Sequence, residues 1–421
     1  MGSVLLAYFT RAVVSLAFYY PLFMAYLWMI GAINYYFRFE RASISLRLPP
    51  ESPDQPVTLI IPMHNEAENA AETVRYALSM DYPEFEVIAV NDGSTDGTAR
   101  ILDELAQTHE RLRVVHLEKN QGKALALQAG ALVARHEYLI CIDGDAVIDP
   151  HAARWMVRHF RSPRVGAITG NPRIRTRSTL LGKVQVGEFS AIVGLIKRAQ
   201  RTYGRLFTVS GVIAAFRKSA LHDVGYWSAD IVTEDIDITW KMEIRHWDIR
   251  YEPHALVWIL MPETLSGLWK QRLRWAVGGV QVAHKFARDL GKWRSRRMWG
   301  ILAEYLLSVS WAYSIALTAT LWLLGLVVSL PSGLRVASPI PGWTGVIIGT
   351  TCLLQIGLSL LFDRRYDYGL VRIYFYMIWF PLVFWVISAL ATIVAVPRAL
   401  GRRRLMRATW VSPDRGVTHE P

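Results

Sequence analysis

Four apolar runs, one early and three late, frame this chain and set its organisation before any single residue is weighed. Val13 to Phe37, Leu302 to Leu330, Thr344 to Phe362 and Ile373 to Val396 are dominated by apolar residues, and a helix needs about 20 of them to cross a bilayer. Pro21 and Pro381 are tolerable inside such helices, and Tyr19, Tyr20, Trp28, Tyr35, Tyr36, Trp379 and Trp385 suit interfacial or packing positions. Between the first and second runs lies a long polar block. With 52% apolar and 19% charged residues among 421, and a mean hydropathy of +0.20, the chain is too apolar for a soluble protein and too charged to be all membrane.

The net charge of +12 follows the same plan. Arg38, Arg41 and Arg47 flank the polar block on one side, and Lys285, Arg288, Lys292, Arg294, Arg296 and Arg297 on the other, which by the positive-inside rule places the block in the cytoplasm. No basic stripe is interleaved with stacking aromatics, so nucleic acid is excluded as a partner. Three late crossings would leave Arg398, Arg402, Arg403, Arg404 and Arg407 outside, against the same rule. We therefore expect a cytoplasmic tail, either a stop-transfer cluster on lipid headgroups or a phosphate grip built on the Arg398/Arg402 and Arg403/Arg407 spacings. Cys141 and Cys352 have no metal or disulfide spacing and read as packing residues. No small-residue cleavage site closes the first apolar run, so no cleavable signal is expected.

Inside the polar block, Val57 to Met63, Glu86 to Asn91, Arg113 to Leu117 and Tyr138 to Asp143 are short, bulky and apolar, and the first three each precede a helical pattern. That βαβ succession predicts a Rossmann-like parallel sheet with ligands at the C-terminal strand ends. Neither a G-x-G-x-x-G turn nor a phosphate loop is present, which argues against dinucleotide oxidoreductases and P-loop enzymes.

Acidic motifs fall at those strand ends. Asp143 and Asp145 flank a Gly, so both carboxylates can converge on a hard cation bridging a diphosphate, or simply form a solvated turn. Asp92, in Asn91-Asp92-Gly93, can take uracil and ribose hydrogen bonds or serve turn chemistry. Lys123 opens a helix where phosphate could bind, although a lone Lys is usually a surface residue. In Thr233-Glu234-Asp235, Asp235 has the chemistry of a general base, against a plain reading as helix-dipole complementation. Gln271-Arg272-Leu273-Arg274-Trp275 sits in an amphipathic run read as an interfacial helix; Gln271 and Arg274 can hold diphosphate and Trp275 can stack on a sugar, whereas the bland alternative is headgroup anchoring.

In this order the motifs resemble those of the processive, inverting family 2 glycosyltransferases, the group of cellulose, chitin and hyaluronan synthases. The likeness covers nearly all of Pro56 to Ala283. Ser210 to Phe216, Gly225-Tyr226-Trp227, Thr233 to Asp237 and Trp258 to Thr264 look most like the branch that makes bacterial poly-β-1,6-N-acetylglucosamine. The resemblance implies a GT-A fold joined to transmembrane and interfacial helices in the bacterial inner membrane, with UDP-N-acetylglucosamine as donor, Mg²⁺ or Mn²⁺ as cofactor, and export of a biofilm polymer. It makes Asp235 the base. Asp92, Lys123, Asp143, Asp145, Gln271 and Arg274 would bind donor, with Asp143 and Asp145 also holding the metal. Trp275, Glu234, Ser210 and Gly211 would lie on the acceptor side.

It further implies a small transmembrane partner subunit. Relative to cellulose synthase, a C-terminal PilZ domain and a Phe-x-Val-Thr-x-Lys loop are lacking, so cyclic di-GMP control would have to use another route, such as the Arg-rich tail. The expected segments are a first helix and linker over 1–55, the catalytic domain over 56–261, interfacial helices over 262–300, membrane helices over 301–397 and the basic tail over 398–421. Rival readings are another β-linked polymer synthase, a non-processive transferase acting on a lipid carrier, and a non-catalytic scaffold.

Overall fold

The computed structural model describes residues 2–43, 46, 48, 49, 55–338 and 342–401. One sheet of eight strands organises the catalytic block: β1 (Val57–Met63), β2 (Phe85–Asp92), β3 (Leu112–Leu117), β4 (Tyr138–Ile142), β5 (Val147–Ile148), β6 (Val165–Ile174), β7 (Ile213–Arg217) and β8 (Asp248–Ile259), in spatial order β3-β2-β1-β4-β7-β6-β8-β5. The expected parallel succession is present across β3, β2, β1 and β4. Beyond β4 the sheet is mixed, since β7 runs antiparallel to both β4 and β6, and β5 antiparallel to β8. The purely parallel sheet expected from the sequence is corrected accordingly. Its βαβ signal ended at Tyr138, and the remaining pairings join strands far apart in the chain.

Helices α2 (Ala70–Leu78), α3 (Thr98–Thr108) and α4 (Lys123–Val133) link the first four strands. Side chains of β1 alternate as a strand requires: Leu59, Ile61 and Met63 join Val74 of α2 in one core, and Ile60 joins Leu127 of α4 in the other. Both faces of the sheet are thereby covered, which explains the near-continuous apolar runs. Helices α5 (Ala152–Val157), α6 (Leu180–Phe189), α7 (Lys197–Tyr203), α8 (Lys218–Val224) and α9 (Glu234–Ile244) complete the block, followed by the long α10 (Leu265–Leu290).

Among the described residues four helices are long and apolar enough to cross a membrane, namely α1 (Gly2–Tyr35), α11 (Trp299–Val327), α12 (Gly342–Asp363) and the segment Val383–Gly401 containing α14 (Val386–Gly401). The last expected run is broken. After α13 (Leu370–Ile373) the chain makes short helical turns through Trp385, with Pro381 opening the second. Met377 there packs against Gly187 of α6. Proline removes a helical donor, so a continuous helix from Ile373 gives way to one that starts at Val386. α14 then packs along α10 and α11. Arg398 lies in α14, whereas Arg402, Arg403, Arg404 and Arg407 lie outside the described residues.

A buried ion network ties these helices to the catalytic block. Arg198 of α7 reaches Glu40 at 2.7 Å and Asp363 at 2.9 Å, and Arg173 of β6 meets Asp363 at 2.6 Å. Arg365 also pairs with Glu40. Each buried charge has a partner, as burial demands. Because Glu40 follows α1 and Asp363 ends α12, both helix ends lie on the catalytic side. The 180–203 stretch, α6 through α7, is wedged between sheet and membrane helices, a role the sequence did not announce because it buries nearly all round.

Candidate active site

The C-terminal ends of β4 and β2 open on one side of the sheet, and α4, α9 and α10 bring polar groups to it. At the centre, the Lys123 ammonium at the start of α4 lies 2.6 Å from Asp143 Oδ1 and 2.9 Å from Glu234 Oε1, and donates to the Gly211 carbonyl at 3.0 Å. Burial opposes its charge, but Asp143 and Glu234 outweigh that and hold the amine above the usual lysine range. Lys123 is thus neither a free phosphate hook nor a surface residue. It knits the strand end, the 210–212 turn and α9 together.

Gly211 is also where Asp235 arrives: a Cβ there would sit 3.3 Å from Asp235 Oδ2 and 3.4 Å from Lys123 Nζ. Burial, and then the neighbouring Glu234, push the Asp235 carboxyl up to about 6, a range suited to a general base. Glu234 behaves oppositely. Burial disfavours its charge, but Lys123 overcomes this and lowers it. Adjacent carboxylates therefore sit in different surroundings, Glu234 held ionised against Lys123 and Asp235 raised.

Lys197 of α7, which the sequence reading passed over, is buried in the same cluster. Its Nζ donates to Thr169 Oγ1 at 2.9 Å, and that hydroxyl also accepts the Ser210 amide at 2.8 Å. Burial, only partly offset by Asp235, brings its amine down to about 7. Opening a helix that also carries Arg198 and Arg201, Lys197 gives no sequence signal that separates it from its neighbours, since only the fold brings it to Asp235.

Asp92 is fully buried, with Oδ1 accepting from the Gln121 amide at 2.7 Å and Oδ2 from the Gly122 amide at 2.8 Å. Burial raises its pKa against those two bonds. It anchors the loop that delivers Lys123. Asp145 is buried just beyond Asp143, and among the described residues no group of three or more His, Cys, Asp or Glu is placed to hold a metal ion. Two carboxylates at a strand end nonetheless fit the hard-cation mode in which substrate phosphates and water supply the remaining ligands.

Helix α10 packs between α9 and α14 and closes the site from that side. Arg272 is buried, pairs with Glu188 of α6 at 2.6 Å and lies 4.5 Å over the half-buried Trp275 ring. It is a structural strut rather than a headgroup anchor. Arg274 is exposed, and its charge helps keep Glu234 ionised. Gln271 Nε2 approaches Met261 Sδ at 3.6 Å, while its buried Oε1 has no hydrogen-bond partner.

A sequence profile of the glycosyltransferase-like family 2 matches residues 53–278, from the linker before β1 to the middle of α10. The chain belongs to glycosyltransferase family 2. Among curated relatives of this glycosyltransferase, the poly-β-1,6-N-acetyl-D-glucosamine synthase of Staphylococcus epidermidis is 39% identical over 94% of this chain and 97% of its own length. The synthase of the same name from Staphylococcus aureus strain COL is 36% identical over 95% and 98%. A solved mannosyltransferase from Pyrobaculum calidifontis, in complex with GDP-Man and Mn²⁺, superposes with a TM-score of 0.66 over 94% of this chain and 99% of its own, at 21% identity. That likeness speaks to the fold alone, a GT-A domain with its sheet and helices.

Proposed function

We propose that this glycosyltransferase adds N-acetylglucosamine from UDP-N-acetylglucosamine to a growing β-1,6-linked polymer at the cytoplasmic face of a bacterial inner membrane and feeds the product into its own membrane helices for export. The observation that carries this reading is the Lys123-Asp143-Glu234-Asp235 cluster roofed by α10. Full-length similarity to poly-β-1,6-N-acetyl-D-glucosamine synthases supports the donor and linkage.

The chemistry follows from the placement. Asp235 takes the proton from the acceptor's 6-hydroxyl as that oxygen attacks the anomeric carbon in line, with inversion and no enzyme nucleophile. Asp143 and Asp145 would hold a divalent cation, Mg²⁺ or Mn²⁺, which supplies charge neutralisation at the donor diphosphate. Gln271 and Arg274 bind the leaving UDP, developing charge in the transition state being what such donors stabilise best. Asp92 fixes the loop beneath the uridine. Trp275 keeps the product end in place on the part of its ring that remains exposed, with Ser210 and Gly211 forming the acceptor-side wall. Lipid, together with a small transmembrane subunit, would cover exposed apolar side chains of α1 such as Leu5, Phe9, Phe23 and Ile30.

Purified protein in lipid, supplied with UDP-N-acetylglucosamine and Mg²⁺, should yield polymer that a β-1,6-N-acetylglucosaminidase degrades. A product resistant to that enzyme and cut by chitinase would replace the linkage, and a single sugar on a lipid carrier would replace processive synthesis.

A further inference from the structure

A second cavity, of about 450 Å³, opens where the end of α1 meets the catalytic block. Tyr35 and Phe39 line it from the α1 side; Arg158, Arg201, Arg250 and His254 line it from the block. None of the catalytic groups described above contributes to its wall.

The polar chemistry of this cavity is incomplete. Arg158 meets Glu252 at 2.7 Å, and His159 and His254 contact the same carboxylate at 2.8 and 2.9 Å. Burial opposes ionisation of Glu252, yet these hydrogen bonds hold its carboxyl well below the usual range. Arg201 and Arg250 share Asp248, at 2.8 and 3.0 Å. Both carboxylates are thus fully engaged, and cations still outnumber them. Three further buried atoms of the lining residues, Arg158 Nε, His254 Nε2 and Tyr251 Oη, have no hydrogen-bond partner. Tyr251 is 1% exposed, so its hydroxyl is hidden from bulk water. A buried polar group left unpaired is costly, and the Arg158 Nε–H and Tyr251 hydroxyl donors beside the guanidinium groups of Arg201 and Arg250 are the signature of a ligand with several acceptor oxygens.

Height relative to the membrane narrows the ligand. On the short turn after α1, Phe37 and Phe39 are 60% and 50% exposed, with Arg41 and Arg38 stacked on their rings. Aromatic and cationic residues in that arrangement belong at the headgroup level of a bilayer. Guanidinium forks match phosphate oxygens.

We propose that this cavity is a binding site for a phosphate-bearing anion at the membrane-proximal neck of the catalytic domain, taken from a phospholipid headgroup or from a soluble phosphate compound. Its back wall is β8, the strand that runs on through Ile259 to the start of α10 at Leu265, so an occupant lies at one end of the segment whose other end carries Gln271 and Arg274.

The test uses the full-length protein in two arms. In phosphatidylcholine nanodiscs with EDTA present, inorganic pyrophosphate binding is measured by titration calorimetry. In mixed phosphatidylcholine and phosphatidylglycerol, retained phosphatidylglycerol is counted by native mass spectrometry. The pocket variant is Arg250→Gln with Tyr251→Phe. The control is Arg294→Gln, which removes the same single charge from an exposed position at the start of the other membrane neck. We expect the pocket variant to weaken one probe about tenfold or more, and the control to leave it within about twofold. Loss confined to pyrophosphate assigns a soluble ligand, and loss confined to phosphatidylglycerol assigns a lipid. Unchanged binding of both probes, or equal loss in the control, overturns the site. Should the double variant not be recovered folded, Tyr251→Phe alone decides: it keeps the ring packing, is expected to weaken binding about threefold, and unchanged affinity overturns the proposal.

Discussion

Gly278 of α10 lies directly against Thr233, the residue before Glu234 and Asp235, so closely that a Cβ on Gly278 would overlap the Thr side chain. The helix bearing Gln271, Arg274 and Trp275 is therefore seated on the segment bearing Glu234 and Asp235 through a position with no room for a side chain. Gly278→Ala should cost about 1–3 kcal/mol by overpacking and lower polymer yield with it. Gly300→Ala on α11, where no atom lies within 4 Å, should leave both thermal stability and yield near wild type. Equal behaviour of the two variants would remove the close approach as the reason for the glycine.

Asp235→Asn should reduce polymer synthesis by about 10²–10⁴-fold while UDP binding stays near wild type, because an amide keeps the shape but cannot take the proton. The same variant should be more heat-stable than wild type at pH 8. An acid whose folded pKa is raised to about 6 penalises the fold once it ionises, a penalty absent at low pH, growing between about 4 and 6 and complete above. At its upper bound this is about 3 kcal/mol. Melting curves at pH 8 and pH 4 check it, the advantage being expected only at the higher pH.

The pH profile carries the same signature. kcat/KM should fall as pH drops through about 6, where burial and Glu234 place the Asp235 carboxyl. Glu234→Gln removes the neighbouring negative charge, so its acid limb should move down by roughly half a unit or more. A limb that stays in place would separate the titrating group from Asp235.

Asp145→Ala should abolish synthesis together with the magnesium dependence of UDP binding, since carboxylates are the hard-ion ligands offered at this strand end. Full retention of that dependence in calorimetry would move the metal elsewhere.

Trp275→Ala should damage polymer formation about tenfold or more and hydrolysis of the donor far less. Arg272 already covers one face of this half-buried ring, so a sugar would have to use the part that remains exposed. Equal loss in both assays would make Trp275 a purely structural partner of Arg272.

The residues proposed to carry chemistry were legible because the proposed reaction constrains their type and their place at strand ends: Asp143, Asp145, Asp235 and the Gln271 to Trp275 segment could all be singled out from order and spacing. Apolar runs of membrane length likewise announced α1, α11 and α12, since a bilayer demands length and composition that sequence displays directly. What the sequence did not contain was anything set by contacts distant along the chain. The antiparallel half of the sheet, the break before α14 and the role of the 180–203 stretch depend on which surfaces meet. The same holds inside the site. Lys123 bridging Asp143 and Glu234, Lys197 beneath Asp235, and Arg272 spent on Glu188 join residues far apart in sequence. Their electrostatics arise from burial and proximity, which exist only once the chain has folded.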